Sequence, residues 1–263
     1  FLPRWRTEDI MMSAASDGGS VGPHVDRYDV FLVQATGQRH WQIGRHGTGI
    51  PDPDATELRL VEPFEPAFEV TASPGDVLYL PPGVPHHGVA RGECTTYSIG
   101  FRAPSLQDLA AVALEHVDGA TLLADPGRDA CTDRDAIDPA TVDALRTQLF
   151  ALLADERALV RALGELVTEP KAWLAPEPPE EGRPIGPDDR LGLAPGARLA
   201  TWAADTLFVN GTGYAVSCED EQRLIRALAG GGQIRAGDVA GARALAEALL
   251  ADGALEIHPE DRD

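Results

Sequence analysis

The segment GPHVDRYDVFLVQATGQRHW, residues 22–41, contains the polar residues and the apolar run on which the interpretation of this chain depends. His24 and Asp26 precede the run DVFLVQ, and we predict that both lie on a β-strand. Side chains two positions apart on a strand point to the same face, with their Cα atoms roughly 6–7 Å apart. An imidazole and a carboxylate placed in this way can converge on one metal ion.

A second segment, PGDVLYLPPGVPHHG at residues 74–88, supplies the third candidate ligand. A predicted strand and a Pro-Pro-Gly turn lead into His86 and His87, and because neighbouring residues of an extended segment face opposite ways, only one of the two can join the pair. Two histidines and one carboxylate on one octahedral face leave positions open for a co-substrate and O₂, as in non-haem Fe(II) oxygenases. The alternative is that His24 and Asp26 are ordinary loop residues.

The chain divides into four predicted parts. Residues 1–104 contain short apolar runs separated by Gly and Pro turns, a pattern typical of a sandwich or barrel. Residues 105–174 have helical periodicity after Ser105, a good N-cap, and residues 175–190 form a linker rich in Pro and acidic residues. Residues 191–263 combine strands with two short helices and resemble a winged-helix module; Asn210–Gly211 predicts a hairpin turn.

Composition limits the classes of function. The chain has 263 residues and 43% hydrophobic residues, which indicates a globular protein, and no apolar stretch approaches the roughly 20 residues that span a bilayer. A net charge of −20, from 42 acidic and 22 basic residues, argues against nucleic acid as a direct ligand and favours a basic partner. Three dispersed cysteines suggest a reducing cytoplasm. Since the chain starts at Phe1, we expect part of the first domain to precede it.

The two quoted segments together resemble the JmjC-type cupin core of the bacterial ribosomal oxygenases. These are Fe(II)- and 2-oxoglutarate-dependent hydroxylases of an arginine in a basic large-subunit ribosomal protein, related to the ribosomal histidine hydroxylases. The resemblance implies a fold of mixed β and α structure: a double-stranded β-helix, N-terminally incomplete here, then a helical dimerisation region and a C-terminal winged helix. A homodimer through the helices is one expectation; packing of these helices on the chain's own sheet is equally simple.

The resemblance also implies roles for individual residues. His24, Asp26 and His86 correspond to the metal ligands, although the duplicated His87 is a departure from the family pattern. Arg39, beyond a predicted Thr36–Gly37 turn, corresponds to the arginine that binds the C5 carboxylate of 2-oxoglutarate, a contact that a guanidinium makes in bidentate fashion. Ser98 lies where the family's strand lines the co-substrate pocket.

Asp17, before a glycine-rich loop, is a candidate acceptor for a cationic substrate side chain, or else a turn-forming residue. Three other functions remain open at this stage. The first is a cupin enzyme that uses the same metal on a small molecule without 2-oxoglutarate. The second is a histidyl hydroxylase, and the third is a DNA-binding regulator. The last would need a basic recognition helix, which the C-terminal segment lacks.

Overall fold

The computed structural model describes residues 2–51, 59–116, 139–171, 174–176 and 184–258, except for the side chain of Leu152. The chain forms two compact units, Phe1–Ala103 and Pro104–Asp263. The first unit thus ends within a residue of the predicted first domain, whereas the finer division of the remainder stays a prediction. Cys131 and residues 177–183 of the predicted linker lie outside the described residues.

The first unit is built on one antiparallel sheet, preceded by a short 3-10 helix at Arg4–Arg6. Its strands are β1 (Thr7–Ala15), β2 (Asp29–Ile43), β3 (Phe68–Ala72), β4 (Val77–Leu80) and β5 (His86–Phe101). The strand order is β1-β5-β2-β3, and β4 also pairs with β2. One cluster of buried apolar side chains packs together in this unit and consists of Val30, Leu32, Trp41, Ile43, Ala72, Leu80 and Val84.

The long strand β2 corrects a prediction. A turn was predicted at Thr36–Gly37, but the residues on both sides of it belong to one strand, which pairs with β5 along its length. The chain does not reverse at Gly37. Instead the pairing register shifts on both sides of Thr36, and Gly37 adopts a φ of 61° within this irregular stretch.

Strand β1 was not predicted, because its sequence TEDIMMSAA lacks a clear alternation of apolar and polar residues. It pairs with the second half of β5, from Thr7 opposite Phe101 to Ala15 opposite Cys94. The sheet therefore brings side chains of β1, β5 and β2 next to one another on the face that carries the candidate site.

The second unit contains helices α1 (Leu106–Glu115), α2 (Pro139–Leu153), α3 (Glu156–Thr168), α4 (Glu219–Ala229) and α5 (Arg243–Ala251). Ser105 caps α1 as predicted, since its hydroxyl accepts from Asp108 N over 3.0 Å. Helix α3 packs closely on the ring of Phe208, because a Cβ at Gly164 would lie 2.3 Å from that ring. No helix in the described part of the chain is long and apolar enough to cross a membrane.

The strands of the second unit form two small antiparallel sheets. One contains β6 (Arg190–Leu193), β10 (Ile234–Arg235) and β11 (Leu255–His258); the other contains β7 (Leu199–Trp202), β8 (Thr206–Val209) and β9 (Thr212–Ala215). The predicted turn at Asn210–Gly211 is confirmed, because both residues have positive φ and Val209 pairs with Thr212. A second 3-10 segment, Ala236–Ala242, leads into α5.

From the close backbone approach at the register shift in β2, we predict how two glycine substitutions change the free energy of unfolding. At Gly37 an added Cβ would lie 2.1 Å from Glu93 O, whereas at Gly92, also of positive φ (74°), nothing lies within 4 Å. We expect Gly92→Ala to lower the free energy of unfolding by about 1–2 kcal/mol, the backbone cost alone, and Gly37→Ala by about 3 kcal/mol or more because of the clash. Urea denaturation followed by circular dichroism measures both, and equal losses would contradict the close approach at Gly37.

Candidate active site

His24, Asp26 and His86 meet at one point of the first unit. His24 and His86 form an isolated antiparallel bridge, in which His24 N donates to His86 O over 3.0 Å and His86 N donates to His24 O over 2.9 Å. One possible ligand atom from each of the three side chains lies within 4.8 Å of the others. The described residues offer one such cluster of metal-binding side chains, and it consists of the three residues chosen from the sequence.

The backbone that carries His24 and Asp26 differs from the prediction. Both were expected on a regular strand, but β2 begins only at Asp29. His24 is held by its bridge to His86, and Asp26 lies in the following loop, where its carbonyl accepts from Gly83 N over 2.8 Å. Tertiary hydrogen bonds, rather than the two-residue repeat of a strand, therefore bring the imidazole and the carboxylate together.

Backbone carbonyls orient both imidazole rings. His24 Nδ1 lies 2.9 Å from Gly22 O, and His86 Nδ1 lies 3.0 Å from Val84 O. A carbonyl oxygen only accepts, so each Nδ1 carries a proton and Nε2 is the ring nitrogen left to bind a metal. Metal-binding histidines in proteins are commonly oriented in this way. His86 Nε2 lies 3.6 Å from Asp26 Oδ2, so these two atoms can face the same ion.

The electrostatic environment of the cluster is suited to a cation. Burial, reinforced by His24, lowers the pKa of His86 to about 4, so its imidazole is neutral near pH 7. Burial also raises the pKa of Asp26, although the nearby His24 opposes this shift. Two imidazoles, of which the buried His86 is neutral, and a partly desolvated carboxylate form a donor set that a divalent cation would stabilise, and the residues therefore fit a metal.

The structure distinguishes the two adjacent histidines. His86 is 2% exposed and joins the cluster, whereas His87 is half-buried, stands opposite Gln42 in the β2–β5 pairing and is not part of the cluster. Burial lowers the pKa of His87 as well, with smaller contributions from His24 and His40. Of the two candidates for the third ligand, the geometry therefore favours His86.

Trp41 connects the cluster to Arg39. Its ring centroid lies 6.0 Å from that of His86, and Arg39 Cζ lies 5.8 Å from the ring of Trp41. The indole packs against the backbone of β5, where a Cβ at Gly88 would lie only 2.5 Å from it. Arg39 and His86 therefore lie on the same face of the sheet. His40 points the other way and hydrogen-bonds to side chains of β3.

Arg39 is a buried cation that has no anionic partner among the residues the structure describes. The residue is 7% exposed, and its guanidinium donates to Ser13 Oγ over 3.3 Å and to Cys94 Sγ over 3.7 Å, both neutral partners. Its Nε is buried without a hydrogen-bond partner. Within the described part of the chain no carboxylate pairs with it. Because a desolvated guanidinium is costly without a counter-ion, this arrangement is what a site for a bound anion requires.

Two hydroxyl residues of β5, Thr96 and Ser98, lie on the same face as Arg39. Ser98 is half-buried and pairs with Met11 of β1 and Leu32 of β2. Thr96 is 1% exposed and donates to Gln34 Oε1 over 2.9 Å, so its hydroxyl is already engaged within the protein. Of the two, Ser98 is the better placed to contact a bound molecule.

Asp17 has a structural contact. It is exposed, and its Oδ1 accepts a hydrogen bond of 2.7 Å from Gly92 N, at the irregular point of β5. The next two residues hydrogen-bond through their backbones to Ala90, the residue that pairs with Arg39. The contact shows what Asp17 does in the fold; a role in binding substrate stays a prediction.

Sequence reasoning missed three residues of this region: Ser13, Cys94 and Gln34. Ser13 lies on the strand that was not predicted, and Cys94 was considered only as one of three dispersed cysteines. Gln34 is fully buried, which a polar residue in an apolar run could have signalled.

The chain is similar in sequence to a known domain family and to known oxygenases. Residues 1–109 match the family model described as the JmjC domain, and residues 68–166 match a model described as an AraC-like ligand binding domain. The chain is 36% identical over 195 residues to the ribosomal protein uL16 3-hydroxylase of Escherichia coli, covering 72% of this chain and 51% of the relative. It is 42% identical over 111 residues to a probable ribosomal oxygenase of Haemophilus influenzae, covering 41% of this chain and 28% of the relative.

A solved structure extends the similarity to both units. The E. coli ribosomal oxygenase YcfD in complex with cobalt and 2-oxoglutarate is similar with a TM-score of 0.80 at 28% identity, over 98% of this chain and 72% of that one. The first unit is thus a JmjC domain of cupin type in a chain of mixed β and α structure. The chain is related to the bacterial ribosomal oxygenases and to the NO66 histidyl-hydroxylases, and it spans about half the length of the first curated relative.

From the geometry of the cluster, we predict how substitutions of its residues change the affinity for Co(II). Replacing His24, Asp26 or His86 by Ala removes one of three ligands, and we expect each variant to bind Co(II) at least about 100-fold more weakly than the wild type, since a lost ligand is costlier than the roughly 10–100-fold effect of an outer-shell partner. His87→Ala is the matched control and should bind normally. Isothermal titration calorimetry measures the affinities. If His87→Ala lost the metal and His86→Ala kept it, the assignment of the third ligand would be wrong.

Proposed function

We propose that this chain is an Fe(II)- and 2-oxoglutarate-dependent protein hydroxylase. The observation that carries the proposal is the buried guanidinium of Arg39, which lies without an acidic partner in the described chain and on the face that carries the His24, Asp26 and His86 cluster. A metal site alone fits many cupins. A metal site beside an unneutralised buried arginine fits a co-substrate that chelates metal at one end and carries a carboxylate at the other.

The three clustered side chains would hold Fe(II) through two Nε2 atoms and one carboxylate oxygen. This set occupies one face of an octahedron and leaves the other positions open. Bound there, iron would supply the oxidative decarboxylation of 2-oxoglutarate by O₂ that drives hydroxylation of a C–H bond. The protein's own residues orient the reactants and exclude water, because Trp41 and the buried sheet face surround the imidazole of His86.

Arg39 would bind the C5 carboxylate of 2-oxoglutarate. Its guanidinium is fixed by Ser13 and Cys94, and its unsatisfied Nε shows that hydrogen-bonding capacity remains. A bidentate contact of this kind is both strong and directional. Ser98 would add a hydroxyl at the side of the pocket. The complex of YcfD with cobalt and 2-oxoglutarate supports the same co-substrate for this chain.

The substrate that we propose is an arginine of a basic large-subunit ribosomal protein. The E. coli relative is named for uL16, and a net charge of −20 would attract a basic protein at long range. Asp17 would accept the cationic side chain through the carboxylate oxygen that is not bound to Gly92. A histidyl target is the second candidate, supported by 35% identity over 71 residues to NO66 of Dictyostelium discoideum, a stretch that covers 26% of this chain and 14% of that protein.

We also propose that residues 105–174 form a homodimer interface. Helix α2 exposes five large apolar side chains: Val142, Leu145, Leu149, Phe150 and Leu153. Such a face is typical of a helix that packs against a partner. Sedimentation equilibrium tests this proposal, and a monomer mass at micromolar concentration would contradict it.

The C-terminal part, residues 191–263, we propose to be a winged-helix module that does not bind nucleic acid. Two helices and small antiparallel sheets support the architecture. The first turn of α4 carries Glu219, Asp220 and Glu221, a charge that disfavours contact with phosphates.

We place the enzyme in the cytoplasm, where its substrate is made; Cys94 and Cys218, the cysteines described, are free thiols.

The activity is tested with purified uL16, Fe(II), 2-oxoglutarate and O₂. We expect the mass of uL16 to rise by one oxygen atom, with one succinate formed per hydroxylation, and tandem mass spectrometry to locate the oxygen on an arginine.

Arg39→Met should raise the KM for 2-oxoglutarate by about 100-fold, because two charge-assisted hydrogen bonds are lost. Arg157→Met, an exposed arginine of α3, is the matched control and should behave as wild type.

Each outcome distinguishes between the candidates. An oxygen on a histidine would favour the second substrate class. Hydroxylation that continues without 2-oxoglutarate, or an Arg39→Met enzyme with an unchanged KM, would overturn the co-substrate assignment.

A further inference from the structure

The alternation of buried residues along β2 changes phase in the middle of the strand. Val30, Leu32 and Gln34 are buried at intervals of two, and Arg39, Trp41 and Ile43 are buried at intervals of two. Between Gln34 and Arg39 the interval is odd. On a regular strand, residues an odd number of positions apart face opposite sides of the sheet. If β2 were regular throughout, Arg39 would therefore face away from the metal cluster.

A local irregularity produces the change of phase. Gln34 pairs with Thr96, Thr36 with Thr95 and Gln38 with Arg91, with register shifts on both sides of Thr36. From the Gln34–Thr96 pair to the Arg39–Ala90 pair, β2 advances five residues and β5 advances six. The two strands therefore go out of step by one residue, which is the effect of a β-bulge. A shift of one residue moves every following side chain to the other face. The bulge thus places Arg39 and Trp41 on the face of His86.

Gln34 holds this bulge from inside the protein. Its side chain is buried, with the residue 1% exposed, and Nε2 donates to Thr36 O over 2.9 Å and to Thr95 O over 3.4 Å. Oε1 accepts from the hydroxyl of Thr96. One carboxamide therefore bridges the irregular part of β2 and the facing residues of β5. The carbonyl oxygens of Thr36 and Thr95 lie where the regular strand pairing is interrupted, and the carboxamide supplies them with a hydrogen-bond donor.

We propose that Gln34 is a positioning residue of the co-substrate site: its carboxamide fixes the bulge that turns Arg39 toward the metal cluster. It acts through Arg39 and does not itself bind the co-substrate. The inference rests on the proposed function, since it assigns Arg39 the C5 carboxylate. On the opposite face of the sheet, His40 hydrogen-bonds to Thr71 and Glu69. In a strand without the bulge, Arg39 would lie on that face and His40 would take its place on the buried face.

The test compares two ligands of the Co(II)-loaded protein by isothermal titration calorimetry. 2-Oxoglutarate has the C5 carboxylate, whereas 2-oxopentanoate has a methyl group in its place and the same metal-chelating end. We expect the wild type to prefer 2-oxoglutarate by about 100-fold, the contribution of two charge-assisted hydrogen bonds. The ratio of the two affinities therefore reports the contact with Arg39 alone.

Gln34→Met keeps the length of the side chain and removes its hydrogen bonds. We expect the affinity for 2-oxoglutarate to fall by about tenfold or more, with the affinities for 2-oxopentanoate and for Co(II) unchanged. In an Arg39→Met background, Gln34→Met should cause no further loss of 2-oxoglutarate affinity, because the two residues act through one contact. Gln38→Met is the matched control: this exposed glutamine of the same strand bonds only to Ser73 among described side chains, and the preference should persist.

The remaining outcomes overturn the inference. An equal loss for both ligands, a loss of Co(II) binding, or no change at all would show that Gln34 has no specific effect on Arg39. If Gln34→Met does not fold, Gln34→Glu, which keeps the oxygen that accepts from Thr96 and loses the amide donor, is measured with the same expectation. A wild type that does not prefer 2-oxoglutarate would instead refute the proposed function, and this inference with it.

Discussion

Strands β2 and β5 run antiparallel over most of their lengths, and the candidate site depends on this pairing. It places Ile43 opposite His86 at one end and Gln34 opposite Thr96 toward the other, with Arg39 opposite Ala90 between them. Small residues of β5 let the larger side chains of β2 approach, as the contact between Gly88 and Trp41 shows. A ladder of backbone hydrogen bonds therefore fixes the distance between a metal-binding end and an anion-binding middle.

Burial of charge gives this arrangement its functional meaning. A guanidinium removed from water costs several kcal/mol unless an anion accompanies it, and a protein of this acidity has many carboxylates with which it could pair one. Around Arg39 the described partners are a hydroxyl and a thiol instead. The two histidines of the cluster are oriented by backbone carbonyls, and burial keeps His86 neutral near pH 7. Both features stabilise a molecule that brings its own negative charge to the metal.

Sequence patterns predicted much of this and missed what depends on tertiary contacts. Ser105 and Asn210–Gly211 were located correctly, because caps and hairpin turns are decided by a few adjacent residues. His24, Asp26 and His86 were chosen for their spacing and resemblance, and they meet in the structure, yet the strand expected to carry the first two does not include them. A bridge to a residue far along the chain holds His24 in place, and no local pattern encodes that bridge.

The irregular stretch of β2 also depends on tertiary contacts that a local sequence pattern does not encode. Thr36 and Gly37 have the composition of a turn, and a turn was predicted. Whether such a pair reverses the chain or only shifts its register depends on the facing strand. Here it depends on the carbonyl of Glu93 and on the carbonyl of Thr95, which accepts from the Gln34 carboxamide. The phase of the alternation in β2 contained the information, since Gln34 and Arg39 are an odd number of residues apart.

The central claim is that the cluster and Arg39 together bind one molecule of 2-oxoglutarate on Fe(II). Anaerobic addition of 2-oxoglutarate to the Fe(II)-loaded protein, followed by visible spectroscopy, tests it most directly. The account predicts a weak charge-transfer band that saturates at one equivalent and is displaced by succinate in excess. A spectrum that does not change on addition of 2-oxoglutarate would contradict the account.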